Sequence, residues 1–563
     1  MTMNRLANIL LTPSERALEA AVKAPQPIRF GHVVSVTGIQ AVAVLERLDP
    51  ANSGGTVGRI EIGSLVKIPT PFASVIGIIS GMSTPMPSGI DEKADELSLI
   101  EISLAGEIYN DDGGRKLRFT RGVAHFPTIG DAVMPVTGEE LSIVYRQPQA
   151  ATIDVGTLYQ DSTVPALFLI DELFGKHFIV VGTTGSGKSS AVTCILSQVL
   201  IQHHSAHIVV LDIHNEYARA FGNKAELITP GNLRLPFWLL NFQELCAALT
   251  GTDGNHDAEV EILSEAILAS KRRYFEMQSG RIRRVEGAGI TVDTPSPFRL
   301  ADVTAFLDEQ VGKLDRAHGT LPYRRLRTRI DALVSDPRYG FMFGSYTVED
   351  TMVDVLSRIF RVPNEGRPIT VIDLASVPAE ILDIVISLLA RLAFDLAVWS
   401  EGTLPMLIVC EEAHRYAPAN TTDRFLPTRQ ALARIAKEGR KYGVSLALVT
   451  QRPSELDTTI ISQCSTAIAL RLTTDRDQEV MRANTHDSAL DLLAYLPLLG
   501  DREAIVLGQG VPMPMRIRFH PIDDNGLPKS RHEGFSKSWK ENGMDRRKLE
   551  ETVARWRYAG RQR

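Results

Sequence analysis

The chain shows two different patterns of apolar and polar positions. Between residues 28 and 145, runs such as GRIEIGSLVKI and LIEISLAGEIY alternate apolar with polar residues and are separated by Gly, Pro, Asn and Asp. A period of two is typical of strands with one buried face, and the turn residues end each strand. Because no helical periodicity lies between these runs, the pattern predicts a small β-barrel or sandwich.

Beyond residue 145 the apolar runs become continuous and alternate with helical patterns. KHFIVVG, HIVVLDI, PITVIDLA, PMLIVC, VSLALVT and TAIALRL are apolar nearly throughout, whereas AEILDIVISLLARLAFDLAVW has the length and spacing of a helix. Continuously apolar strands that alternate with helices indicate a largely parallel sheet. We therefore predict an α/β fold, in which ligands bind at the carboxyl ends of the strands.

Changes between these patterns divide the chain into four predicted segments. An N-terminal helix covers residues 1–25, the β-rich domain 26–150, the α/β domain 151–525 and a basic C-terminal tail 526–563. Strand patterns are missing between about residues 241 and 347, where DAEVEILSEAILASKRRYFEMQ has helical spacing. We predict a helical insertion in the α/β domain at that place.

Composition and charge narrow the class of protein. The 563 residues have a formal net charge of -6, four widely spaced cysteines and no run of eighteen apolar residues. Since neither a zinc motif, a disulfide framework nor a membrane span is indicated, we expect a cytoplasmic protein without a membrane partner. Any contact with nucleic acid must come from local basic patches, because the whole chain is acidic.

Basic clusters occur in the predicted insertion, at Lys271–Arg273, Arg281–Arg284 and Arg324–Arg329. Solvated helix faces and contacts with DNA or a neighbouring subunit explain them equally well. The tail combines basic residues with Trp539 and Trp556, which favours docking on a neighbouring subunit or a partner over a solvated helix.

A glycine-rich segment carries the clearest chemistry. GTTGSGKS follows a predicted strand, precedes a predicted helix and matches the phosphate-loop pattern GxxxxGK[ST]. Its glycines let backbone N–H groups turn toward phosphates, and the helix N-terminus adds partial positive charge. We predict that Lys188 contacts the β- and γ-phosphates of ATP and that Ser189 binds Mg²⁺. The predicted nucleotide-binding residues are Gly182, Thr183, Thr184, Gly185, Ser186, Gly187, Lys188, Ser189 and Ser190.

Hydrolysis requires an activated water and stabilisation of charge at the transferring phosphoryl group. The run MLIVCEEAH ends a predicted strand at Glu411 and Glu412, so two carboxylates lie at the carboxyl edge of the sheet. We predict that Glu411 binds hydrated Mg²⁺ and that Glu412 orients and deprotonates the water. Gln451 ends the next predicted strand, where an amide can sense the γ-phosphate. Asp212 and Glu216, near the end of another strand, fit either turn formation or a place at a subunit boundary or pore.

Together these motifs resemble the HerA/FtsK superfamily of ring ATPases, and HerA-type proteins most closely. The resemblance rests on GTTGSGKSS, VLDIHNEY, IVCEEAHRY, GRKYGVSLALVTQRPSELD and SQCSTAIALRL, and on FGHVVSVTG and RGVAHFPTIGDAV near the N-terminus. It covers roughly residues 30–518. It implies a RecA-like P-loop ATPase domain preceded by a HAS-type β-barrel. One departure is Glu411, because the usual acid at this position is Asp.

The resemblance also implies roles for single residues. Glu412 corresponds to the catalytic glutamate and Gln451 to the sensor. In this superfamily an arginine from the neighbouring subunit completes the site, and Arg434 and Arg440 are both candidates, with Arg440 preferred.

Two functions follow from the resemblance. The first is a homo-hexameric ATPase that moves double-stranded DNA through a central pore and works with a NurA-like nuclease, since this chain has no nuclease motif of its own. The second is an ATPase platform that organises and gates a sirtuin-like or nuclease effector in antiviral defence. The two differ in whether double-stranded DNA stimulates ATP hydrolysis.

Overall fold

The chain folds into two units. The computed structural model describes residues 29–46, 60–84, 98–111, 116–145, 150–250, 256–279, 289–313, 319–344, 348–419, 426–485, 490–522 and 545–558. One unit is made of residues 1–147 and 488–492, and the other of residues 148–487 and 493–563. The predicted N-terminal helix and the cluster Arg281–Arg284 lie outside the described residues.

The first unit is built around a β-barrel. Its elements are β1 (Gly31–Val36), β2 (Gln40–Leu45), β3 (Leu65–Pro69), β4 (Ala73–Ser83), β5 (Ser98–Asp111), β6 (Lys116–Arg121), β7 (Ala132–Pro135) and α1 (Gly138–Tyr145). The strand order is β2-β1-β7-β3-β4-β5-β6, and β2 also pairs with β5, so six antiparallel strands close on themselves. Alternate residues such as Val33, Val66 and Ile102 point inward and are fully buried. The predicted barrel is therefore confirmed.

The second unit is built around a sheet of eleven described strands. They are β8 (Thr152–Leu158), β9 (Pro165–Leu169), β10 (His177–Val181), β11 (Ile208–Asp212), β12 (Ala225–Ile228), β13 (Ile369–Asp373), β14 (Met406–Cys410), β15 (Val444–Thr450), β16 (Cys464–Ala469), β17 (Glu503–Gly508) and β18 (Met515–Phe519). Their order is β12-β13-β11-β14-β15-β10-β16-β17-β18-β8-β9. Strands from β12 to β16 run parallel, which confirms the α/β fold, whereas β17, β18, β8 and β9 extend the sheet in antiparallel pairs.

Helices connect these strands. They are α2 (Ile170–Phe174), α3 (Lys188–Gln202), α4 (Phe242–Leu249), α5 (Asp257–Ser279), α6 (Leu300–Lys313), α7 (Thr320–Ser335), α8 (Gly340–Phe343), α9 (Met352–Phe360), α10 (Ala379–Trp399), α11 (Leu426–Tyr442), α12 (Thr458–Ile461), α13 (Asp475–Asn484) and α14 (Arg546–Tyr558). Between β12 and β13 the described residues form the helices α4 to α9, which are joined by turns and irregular segments. Within the described ranges, every helix falls short of the length or apolar character that a bilayer crossing requires.

A buried ion pair joins the helical insertion to α10. Asn241 and Glu244 form a capping box at the start of α4, in which each side chain accepts a hydrogen bond from the other residue's backbone N–H. The Glu244 carboxylate is fully buried and also accepts hydrogen bonds from Ser387 at 2.8 Å and Arg391 at 2.9 Å. This charge pair anchors the insertion to the α/β core, because removal of either partner would leave the other charge buried and unpaired.

Some of the basic residues of the insertion form contacts within the insertion itself. Lys271 is buried, and its ammonium donates to the carbonyl oxygens of Val292 at 2.6 Å and Thr294 at 2.7 Å. Arg325 lies 3.5 Å from the carboxylate of Glu259. In the tail, α14 is mostly exposed where its side chains are described. Docking of the tail on a partner stays a prediction.

Candidate active site

The phosphate loop connects β10 to α3 and has a backbone that only glycine permits at several positions. Gly185 and Gly187 have φ of +76° and +98°, a region that residues with a Cβ rarely adopt. At Gly182 an added Cβ would lie 2.4 Å from the Oγ of Ser186. The N-cap of α3 is Gly187, and no described side chain caps the helix, so its first N–H groups stay available to an anion.

Lys188 lies inside this loop. Its ammonium donates to the carbonyl oxygens of Gly182 at 3.0 Å and Thr183 at 3.3 Å, and the residue is only 6% exposed. Both partners are neutral dipoles, so its positive charge remains for an anion. A buried charge without an opposite charge is unfavourable, and a phosphate in the loop would offset that cost.

Glu411 and Glu412 follow β14 directly and are both buried. The hydroxyl of Tyr217 donates to Glu411 Oε2 at 2.7 Å. Glu412 has a left-handed backbone with φ of +47°. Its Oε2 accepts from the backbone N–H of Gln451 at 3.3 Å and lies 3.3 Å from Nδ1 of His414. The two neighbouring carboxylates therefore have separate sets of partners.

Burial raises the pKa of Glu411 from its ordinary 4.5 to about 8. The nearby carboxylates of Glu216 and Glu412 act in the same direction, while the Tyr217 hydrogen bond and the Lys188 charge oppose it. A carboxyl group that is costly to ionise beside other carboxylates is the kind of group whose charge a divalent cation stabilises.

A turn after β11 brings a further carboxylate to the phosphate loop. The Asp212 carboxylate accepts three backbone N–H groups, from His214 at 3.2 Å, Glu216 at 3.1 Å and Tyr217 at 2.8 Å. The hydroxyl of Ser189 donates to the Glu216 carboxylate. Asp212 therefore forms the turn, which is one of the two roles that the sequence allowed for it. The contact of Glu216 with the loop was not predicted.

Gln451 links the loop to Glu412. Its side-chain oxygen accepts a hydrogen bond from the Thr184 hydroxyl, while its backbone N–H donates to Glu412. The preceding Thr450 contacts His414 through its hydroxyl at 2.9 Å. The structure thus brings together the loop, both carboxylates and the amide that the sequence singled out.

The two candidate arginines lie elsewhere, on α11. This helix runs from the carboxyl edge of the sheet after β14 to the amino edge before β15. The Arg440 carbonyl accepts from Gly443 N at 3.4 Å, immediately before β15. The seven residues of β15 separate that point from Gln451 by about 23 Å, at about 3.3 Å per residue. Arg440 therefore lies at the opposite edge of the sheet from the phosphate loop of its own chain and is too far away to reach it.

The two arginines differ in their surroundings. The Arg434 guanidinium lies 4.3 Å from the ring centre of Phe394 and 3.7 Å from the carboxylate of Asp395. The Arg440 side chain is exposed and has no hydrogen bond or ion pair with another residue in the described part of the chain. Arg434 is therefore held on its own protomer, whereas Arg440 is available to another molecule.

The parallel sheet ends in a phosphate loop after β10 and two buried carboxylates after β14, and Gln451 follows β15, the strand between them. This arrangement defines a RecA-like P-loop ATPase. Residues 153–393 match the family model described as the central domain of helicase HerA. This segment is therefore similar to the central domain of HerA helicases, and the chain also has the N-terminal barrel and the α/β ATPase domain that the resemblance predicts.

Relatives extend the likeness beyond the matched segment. A probable helicase of Methanocaldococcus jannaschii is 28% identical over 388 residues, which are 66% of this chain and 71% of the relative. The DNA double-strand break repair helicase HerA of Pyrococcus furiosus is 24% identical and covers 69% of this chain and 73% of its own. The HerA of Sulfurisphaera tokodaii is 24% identical over 513 residues, 88% of this chain and 93% of the relative.

We expect Glu411→Gln to stabilise the protein in metal-free buffer, and to do so more above pH 8 than at about pH 5. The native chain holds the Glu411 proton up to about pH 8, whereas the unfolded chain releases it near 4.5, so wild-type stability falls as pH rises through this interval. Glutamine does not titrate and removes that loss.

Thermal unfolding with a chelator at both pH values measures this difference. Glu401→Gln, in an exposed turn, is the matched control and should shift the melting temperature equally at both. A Glu411→Gln gain that is larger at the lower pH would show that the carboxyl is not protonated in the folded chain.

Proposed function

We propose that this protein is an ATP-driven translocase or helicase of double-stranded DNA, which works in the cytoplasm as a homo-hexamer with a partner nuclease or effector. The observation that carries the proposal is the meeting of Lys188, Ser189, Glu411, Glu412 and Gln451 at one edge of a parallel sheet. The likeness to helicases named HerA supports DNA as the substrate.

The residues present fit ATP and Mg²⁺. The loop from Gly182 and the first N–H groups of α3 would hold the phosphates, with Lys188 between the β- and γ-phosphates. Ser189 and Glu411 would hold Mg²⁺, and Glu216 would act as an additional carboxylate because it already contacts the Ser189 hydroxyl. Bound Mg²⁺ supplies charge neutralisation on the phosphates.

Glu412 has the geometry of a general base. Its contacts with Gln451 N and His414 both use Oε2, which leaves Oε1 without a partner among the described residues. Oε1 can therefore accept a proton from a water molecule, while His414 and the Gln451 N–H hold the carboxylate in place. Because the Gln451 side chain also contacts Thr184 on the loop, a change in the loop on nucleotide binding can reach the base.

An arginine from a second copy completes this site. Charge that develops on the transferring phosphoryl group needs a cation, and none of the arginines predicted for that role lies near the loop of its own chain. The Arg440 side chain is exposed and free of partners among the described residues, whereas that of Arg434 packs on Phe394 and pairs with Asp395. We therefore assign the role to Arg440 of a neighbouring subunit, which requires a ring or another closed assembly.

We expect Glu412→Gln to bind MgATP with nearly unchanged affinity and to lose turnover by about 10²–10⁴-fold, the usual contribution of a general base. Lys188→Ala should instead weaken MgATP binding itself, because it removes the buried cation of the loop. Calorimetric titration and phosphate release measure the two effects separately.

Glu349→Gln, which makes the same change on the exposed surface, is the control and should leave both quantities unchanged. Wild-type turnover by Glu412→Gln would show that another residue activates the water.

Double-stranded DNA should raise the ATPase rate of the wild-type protein at low salt, and the stimulation should fall steeply as salt is added, because phosphate contacts release counterions. Phosphate release with and without duplex DNA is the measurement, and single-stranded DNA of equal length is the control. An ATPase rate that duplex DNA leaves unchanged at low salt would contradict the translocase and favour a platform for a sirtuin-like or nuclease effector.

A further inference from the structure

Helix α7 of the insertion carries a cluster of arginines that the ATPase chemistry does not use. The helix packs on the rest of the insertion through Leu326, Ile330 and Leu333, which are buried. At about 100° per residue, positions 324, 325, 328 and 329 lie together on a side of the helix that faces away from these leucine and isoleucine side chains. All four side chains are exposed. We call this set the arginine face: Arg324, Arg325, Thr328 and Arg329.

The positive charge of the arginine face is largely uncompensated. Arg324 and Arg329 have no hydrogen bond or ion pair with another residue in the described ranges. The Arg325 guanidinium lies 3.5 Å from the buried carboxylate of Glu259, but its side chain is still 62% exposed. Because residues four apart are neighbours on a helix surface, Arg325 and Arg329 repel each other. An anion bound between the guanidinium groups would remove this repulsion.

The fourth arginine of the cluster has a different role. Arg327 lies on the other flank of α7 and forms ion pairs with Asp308 of α6 and with Asp331, the latter at 3.0 Å. These contacts join α6 to α7 and neutralise the guanidinium. The cluster therefore divides into one arginine that stabilises the insertion and three that stay accessible to a ligand.

The arginine face is also part of a concave surface. Its four residues line a cavity of about 540 Å³ between α7, the end of α4 and the start of α5. Among the described residues that line this cavity, Glu259 carries the single carboxylate. Like charges that line a concave surface reinforce one another's potential, so the cavity attracts anions more strongly than a flat helix face with the same charge.

We propose that the arginine face binds the phosphate backbone of double-stranded DNA. The inference rests on the function proposed above, which makes duplex DNA the substrate. Guanidinium and hydroxyl groups are the side-chain groups that contact DNA phosphates and position a protein on the duplex without reading its sequence. Arg324, Arg325 and Arg329 supply the guanidinium groups, and Thr328 supplies the hydroxyl.

The composition of the cavity favours DNA over an acidic protein as the occupant. The centre of a protein–protein interface is apolar and poor in charged residues, whereas surfaces that bind DNA are polar and strongly positive. Leu321 is the one large apolar side chain that is exposed among the described residues of the cavity lining. The remaining exposed part of this surface is dominated by guanidinium groups.

The test measures binding of a fluorescently labelled duplex to the full-length protein by anisotropy over a range of salt concentrations. We expect the double variant Arg324→Ala/Arg329→Ala to bind the duplex roughly 2- to 30-fold more weakly at low salt, the range for two exposed ion pairs. The slope of log affinity against log salt concentration should become shallower by about two, because two phosphate contacts are lost. A duplex of different sequence should give the same two changes.

Arg29→Ala/Arg367→Ala is the matched control. It removes the same charge at two exposed arginines that already pair with Glu46 and Glu226 in other parts of the chain. This control should keep the wild-type affinity and salt slope. The α7 double variant should also keep the wild-type melting temperature and MgATP affinity, because Arg324 and Arg329 have no partner within the described fold.

The outcomes distinguish this inference from the proposed function. If the wild-type protein does not bind duplex DNA at low salt, the proposed function fails and the arginine face loses its ligand. If the wild-type protein binds but the α7 double variant has the same affinity and salt slope, the assignment of the arginine face alone is overturned. An equal loss in the control would also overturn it, since net charge and not this surface would then determine binding.

Discussion

Parallel pairing of β14, β15 and β10 is the constraint on which the rest of the site depends. Cys410 at the end of β14 lies opposite Leu448, and Val181 at the end of β10 lies opposite Thr450. Because all three strands point the same way, the residues that follow them emerge at one edge: the carboxylates, the amide and the glycine loop. The same three strands are completely buried, so this edge of the sheet rests on a packed apolar core.

Local turns then orient the side chains that the sheet brings together. Glu412 and Asn215 both have left-handed backbones, which are uncommon for residues with a Cβ and cost of order 1–3 kcal/mol. The cost is offset by contacts that exist only in this conformation. Around Asn215, the Asp212 carboxylate accepts three N–H groups. Around Glu412, the carboxylate is held beside His414. Two of the left-handed residues of the described chain thus lie where a carboxylate faces the loop.

The sequence predicted the parts of this structure that depend on local pattern. The parallel strands are recognisable because each is buried on both faces and therefore apolar throughout, and the barrel strands because they alternate. The antiparallel extension was missed, since β8 pairs with β18 across about 360 residues and periodicity carries no information about a partner.

Contacts between site residues were harder to predict than the residues themselves. GTTGSGKS and EEAH identify their own chemistry, and the structure places them together. The contact of Glu216 with Ser189 depends on a turn around Asn215, and the local signal for that turn is Asp212 followed three residues later by Asn215, two residue types that favour turns. The choice between Arg434 and Arg440 depends on Phe394 and Asp395 of a different helix, which the sequence of α11 cannot reveal.

The direction of the strands also separates Arg440 from its own loop, so the role proposed for Arg440 requires two copies of the chain at each ATP site. Mixing Lys188→Ala protomers with Arg440→Ala protomers under conditions of subunit exchange tests this directly. Each variant alone should lose most turnover, by about 10³–10⁵-fold for the arginine. The mixture should regain ATP hydrolysis, because some seams then combine an intact loop with an intact arginine. Full activity of Arg440→Ala alone, or a mixture that stays inactive at every ratio, would contradict a shared site.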